Sequence, residues 1–116
     1  MTKHHAAAAA TFSLALLATG CAKSPESISA SYVSTARYET LGCARLVQER
    51  ANLETALDTV SNQQRQARNS DIVGVVLIGL PVSTLSGSNV ATDVARLKGE
   101  LNAVSQVIAA KGCATS

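Results

Sequence analysis

The sequence predicts an all-α protein, an antiparallel two-helix hairpin, on three observations. Apolar residues fall at helical spacing in two separate stretches, about 34–70 and 88–111. Between them lies an uncharged segment, 72–82, carrying Gly74, Gly79 and Pro81 as breakers. Its β-branched residues would also suit a strand, but no second run in the chain stands ready to pair with it. At 116 residues, 47% hydrophobic and 16% charged, the chain holds at most one small domain. Three aromatics (Phe12, Tyr32, Tyr38), no Trp and a formal charge of +2 leave neither a base-stacking nor a phosphate-binding face, so no nucleic-acid partner is expected.

Residues 1–20 read as an export signal that is removed. Lys3 and the amino terminus supply positive charge, and residues 6–18 form an apolar or small-residue run too short to span a bilayer stably. The run ends in Leu17-Ala18-Thr19-Gly20-Cys21, which resembles the lipobox of bacterial prolipoproteins, with Ala18 where Leu is commonest. The resemblance implies cleavage before Cys21 and acylation of that residue, hence a stable membrane anchor of two or three acyl chains. His4 and His5 lie in the discarded segment, so no histidine remains in the mature chain, and nine basic side chains face eight acidic ones.

Residues 21–33, rich in Ser with Pro25, read as the lipidated terminus and a flexible tether. Helix one follows, about 34–70. Leu46, Leu53, Leu57 and Val60 lie on one stripe with Cys43 a turn earlier, and Arg45/Glu49 and Arg50/Glu54 form i, i+4 pairs. Its end, 61–71, is nearly all polar and is expected to bury little. Residues 71–87 form the turn region, with Val75, Val76, Leu77, Ile78, Leu80 and Pro81 as an apolar interaction surface at the tip. Helix two, 88–111, carries an a/d seam of coiled-coil type through Val90, Val94, Leu97, Leu101, Val104 and Ile108. Asn89 or Ser88 caps it, Arg96 pairs with Glu100, and Gly112 ends it before a short tail, 114–116. Gly99 inside the helix implies close approach by the partner helix, with Lys98 and Glu100 facing solvent.

With Cys21 acylated, Cys43 and Cys113 remain in an oxidising compartment and one pairing is left to them. The midpoint between them is residue 78, beside Gly79 and Pro81, so bridge and breaker agree on a single turn. Taken in order, the lipobox cysteine, Tyr38 with four residues between it and Cys43, the apolar middle with Pro81, Leu97-Lys98-Gly99-Glu100 and a terminal cysteine resemble a group of small proteobacterial lipoproteins. Leu80 departs from that group, where an aromatic residue is usual before the proline. The resemblance implies the architecture and carries no activity.

No catalytic constellation is legible. Glu54 and Asp58 are a solvated pair, the glycines lack a phosphate-loop spacing, and without histidine neither serine nor cysteine has a base. No enzyme, cofactor, metal or small-molecule substrate is expected. The expectation is a lipoprotein on the periplasmic face that self-associates or docks on an envelope complex through its tip, with a membrane-active, entericidin-like or lysis-associated lipoprotein as the alternative. Ala22 fits outer-membrane sorting and Lys23-Ser24 resembles an inner-membrane retention signal; the outer membrane is expected.

Overall fold

The computed structural model describes residues 21–114; the export signal expected at 1–20 lies outside the described residues. The described chain is helical and contains no strand. A 3-10 turn at Pro25–Ser27 is followed by α1 (Ala36–Glu39), α2 (Cys43–Ile78), α3 (Val82–Ser86) and α4 (Ala91–Lys111). Cys43 and Cys113 are joined by a disulfide, with their Cα atoms 5.4 Å apart.

The apolar stripes read from the sequence build the core. Leu46 and Leu53 of α2 cluster with Leu97, Val104 and Ile108 of α4, and Leu57, Val60 and Leu101 pack around them. Tyr38 of α1 joins this cluster almost fully buried, and its hydroxyl has no hydrogen-bond partner. Burial pushes that phenol above the usual tyrosine range. Gly112 closes α4 in the left-handed region (φ 64°), whereas the expected cap by Asn89 or Ser88 is not formed: Val90 occupies the N-cap position without a side-chain cap bond, and Asn89, one residue earlier, accepts from the Ala91 N–H at 3.1 Å.

Several expectations are corrected. Helix one does not begin at 34: Gly42, extended at φ −73° and ψ 163°, separates α1 from α2. Nor does it stop near 70. No breaker stands between Arg68 and Gly79 except Gly74, and Val and Ile cost a helix only tenths of a kcal/mol each. The helix therefore runs on to Ile78, ending at Gly79 with φ 74°, and α3 occupies part of the expected loop.

The polar end of helix one is buried rather than solvated. Ser61, Gln64, Ala67, Asp71 and Gly74 are buried at helical spacings of three, three, four and three. They continue the stripe that Leu46 and Leu53 begin, with hydrogen-bonding and small side chains replacing leucines.

The expected tether is packed structure. Ala22, Pro25 and Ile28 are buried, and their backbone is held by side chains from both long helices. Gln64 Nε2 donates to the Lys23 carbonyl at 2.9 Å, and Lys98 Nζ donates to the carbonyls of Pro25 and Ile28 at 2.6 and 2.7 Å. The Ser31 N–H donates to the Ala95 carbonyl at 2.9 Å. Farther on, Lys111 Nζ donates to the carbonyls of Glu39 and Leu41.

Residues 97–100 therefore have a role that differs from the expected helix contact. Lys98 clamps the N-terminal segment, and Glu100 pairs with Arg37 and Arg96. Gly99 receives the Ser31 carbonyl and Val33, so an extended segment and not the partner helix requires it. Ordinarily Gly→Ala inside a helix stabilises by about 1 kcal/mol. Gly99→Ala is expected to do the reverse, costing about 1–3 kcal/mol by overpacking. Faster hydrogen exchange at the Ser31 amide, with a lower urea midpoint, is the check.

Candidate functional site

The features that stand out chemically gather at the Gly79 end of α2. Among the described residues, every exposed large hydrophobic side chain except Tyr32 lies between Ile72 and Leu85. Val76 is 77% exposed, Leu77 74% and Ile78 64%. Val75 and Leu80 are exposed as well, and Pro81 is half-buried. These are the six residues expected at the tip. Val73, Leu77, Ile78 and Val82 line an open apolar groove beside Gly74.

The backbone builds this end by close approach. A Cβ on Gly74 would lie 2.5 Å from both the Leu80 carbonyl oxygen and Val82 Cγ2, so the absence of a side chain admits the returning chain. The Leu80 N–H donates back to the Gly74 carbonyl at 3.4 Å. Gly79 makes the reversal in the left-handed region.

Beneath the apolar surface lies Asp71, fully buried. Its Oδ1 accepts from the Ser83 N–H at 2.6 Å and the Thr84 N–H at 3.1 Å. Its Oδ2 accepts from Thr84 Oγ1 at 2.7 Å and from the Ala22 N–H at 2.8 Å. Burial alone would raise the Asp71 pKa. The donors on Ser83, Thr84 and Ala22 outweigh it and hold the carboxyl well below the usual carboxylate range. Ser83 Oγ in turn donates to the Ala67 carbonyl at 2.7 Å. Gln64 completes the junction, its Oε1 accepting from the Val90 N–H at 2.8 Å while its Nε2 holds Lys23.

Cys21, the expected lipidation residue, adjoins this junction. Its peptide partner Ala22 is bonded to Asp71, and its half-buried thiol is free. Cys21 and Thr84 border the same surface groove. The structure thus brings Cys21 and the tip residues to one end of α2, and places Cys43 and Cys113 at the other. Sequence reasoning missed Asp71, Gln64, Ser83 and Thr84. Their signal was a helical stripe of polar residues leading into Ser83-Thr84, the donor pair that folds back on Asp71.

No group of three or more His, Cys, Asp or Glu side chains suited to a metal occurs among the described residues, and none of the described helices is long and apolar enough to cross a membrane. Compared with protein-family models, curated proteins and solved structures, the chain matches none.

Proposed function

We propose that this chain is a non-enzymatic cell-envelope lipoprotein, a two-helix hairpin anchored by lipid on Cys21 and acting through its apolar tip. The hairpin reading is supported by Cys43–Cys113 at one end and by Gln64 bonded to Val90 toward the other. The anchor reading is supported by the run 6–18 and the residues before Cys21. With it go the periplasmic face of a membrane, the outer one favoured by Ala22, and a structural or docking role.

One observation carries the functional part. Asp71 and Ser83 at this end of the molecule are buried and hydrogen-bonded, while the large apolar side chains from Ile72 to Leu85 are left outward. Fully burying one Val, Leu or Ile contributes about 1.5–3 kcal/mol, so covering Val76, Leu77 and Ile78 supplies at most about 4.5–9 kcal/mol toward the cost of an association, and the neighbouring apolar side chains add to it. A catalytic surface would show the opposite arrangement, with polar groups converging on open space.

The test is mass spectrometry of the N-terminal peptide from membrane-purified protein, expected to show Cys21 acylated, with Cys21→Ser accumulating as unlipidated precursor. Unmodified Cys21 in the membrane fraction overturns the reading. Val76→Asp, in the same preparation, is expected to lose tip-dependent association with unchanged circular dichroism, because a lone carboxylate cannot enter an apolar contact without a cost of several kcal/mol.

A further inference from the structure

We propose that the surface covering the apolar tip is the lipid bilayer that holds Cys21, so that the molecule stands tip-down on its own membrane with the Cys43–Cys113 end directed away. This rests on the lipid-anchor reading above and names the partner of the same site.

The starting point is the hydrogen bond from the Ala22 N–H to Asp71 Oδ2. A lipoprotein is ordinarily pictured with slack between its acylated cysteine and its folded part. Here there is none: the residue next to Cys21 is pinned to α2, and the following residues are held by Gln64 and Lys98. Asp71 precedes Ile78 by seven residues, which places Ala22 about 10 Å from the last turn of α2 along the helix axis, with Cys21 the adjoining residue. If the acyl chains enter the bilayer at the level of Cys21, the tip side chains reach about 10 Å deeper. Apolar faces of interfacial helices settle at about that depth, 5–10 Å into the headgroup and acyl boundary. The opposite orientation is closed, since α2 extends about 40 Å from Asp71 to Cys43 at 1.5 Å per residue and cannot pass through the membrane that holds Cys21.

The charge pattern marks the same boundary. Residues 72–92 contain no charged side chain. Lys23 and Arg68 border this region, both exposed and neither in an ion pair among the described residues. Nearby acidic groups are engaged: Glu26 with Arg65, Asp93 with Arg96, and Asp71 with its donors. Two unpaired cations above an uncharged end match anionic headgroups above hydrocarbon.

The chain contains no Trp, so a single indole reports its own surroundings. Leu77→Trp at the tip and Ala44→Trp near the head of α2 are both placed at exposed positions. Each full-length variant is purified with its lipid and reconstituted into phosphatidylethanolamine/phosphatidylglycerol vesicles with or without brominated acyl chains. Acylation is verified on the same sample. The expected result is blue-shifted emission from Leu77→Trp that brominated chains quench, and water-exposed, unquenched emission from Ala44→Trp. Adding Val76→Asp to Leu77→Trp is expected to abolish the quenching while Cys21 stays acylated. With acylation present, unquenched Leu77→Trp overturns the inference and leaves the anchor reading standing. Blue-shifted but unquenched emission overturns it in favour of a protein contact or a second copy, and equal quenching at both positions overturns it in favour of a molecule lying flat. Unmodified Cys21 overturns both readings together.

Discussion

Asp71→Ala is expected to lower the stability of the protein by about 3 kcal/mol or more and to release Ala22 from α2. The substitution leaves the N–H groups of Ala22, Ser83 and Thr84 without their acceptor in a buried junction. An unsatisfied buried donor costs about 1–3 kcal/mol, and partial hydration of the opened site keeps the sum below three full penalties. Asp71→Asn is expected to be nearly as damaging, because its amide nitrogen cannot accept from either pair of donors. Urea unfolding gives the energy, and hydrogen exchange at Ala22, Ser83 and Thr84 gives the location.

The same carboxylate fixes a pH dependence. Its folded pKa is depressed below the unfolded value, so its contribution is present in full above the ordinary carboxylate range and is lost as pH falls toward the folded value. Stability of the native protein is therefore expected to fall from about pH 4.5 downward and to go on falling to pH 2. In Asp71→Asn that acid limb is flattened. A variant with the full acid dependence of the native chain would show that other carboxylates carry it.

Much of the fold was legible because apolar residues repeat at helical spacing. Of the ten apolar positions assigned to the stripes from spacing alone, Leu46, Leu53, Val94, Leu97, Val104 and Ile108 are buried, and Leu57, Val60, Val90 and Leu101 are half-buried. Legibility ended where the stripe changed chemistry without changing period. Ser61, Gln64 and Asp71 look solvated to any argument from hydropathy, and the burial of Gln64 and Asp71 depends on donors and acceptors supplied by distant segments. The packed N-terminal segment was hidden for a related reason. A Ser-rich stretch has the composition of a linker, and what orders it is main-chain hydrogen bonding to Lys98, Gln64 and Ala95, to which composition is blind. For the candidate site, the six tip residues were visible as an uncharged run, whereas their proximity to Cys21 was not. That proximity is a tertiary fact created by the Ala22–Asp71 bond, and it reverses the expected geometry in which a tether would separate anchor and tip.

Replacing both bridging cysteines, Cys43→Ser with Cys113→Ser, is expected to cost about 4 kcal/mol, the chain-entropy value for a loop of 70 residues. For a domain of this size such a loss corresponds to a fall in melting temperature of roughly 15–30 °C. The effect is large because the bridge joins the head of α2 to the end of α4, the outer ends of the two long helices. Without it, Leu46 and Tyr38 must find Val107 and Ile108 from an open chain. The loss is expected to appear as an earlier urea midpoint with little change in slope, and reduction of the native protein with dithiothreitol should reproduce it. Cys43→Ser alone leaves Cys113 free to pair with a second chain, so a reducible dimer is expected in the single variant and none in the double. The junction at Asp71 shares no residue with the bridge and lies about 40 Å along α2 from it. Below the new melting temperature, therefore, exchange protection at Ser83 and Thr84 is expected to survive in the double variant while protection near Leu46 falls. Loss of protection at both ends together would mean that the Asp71 junction does not hold without the bridge and that the Cys21 end depends on a disulfide at the far end of the molecule.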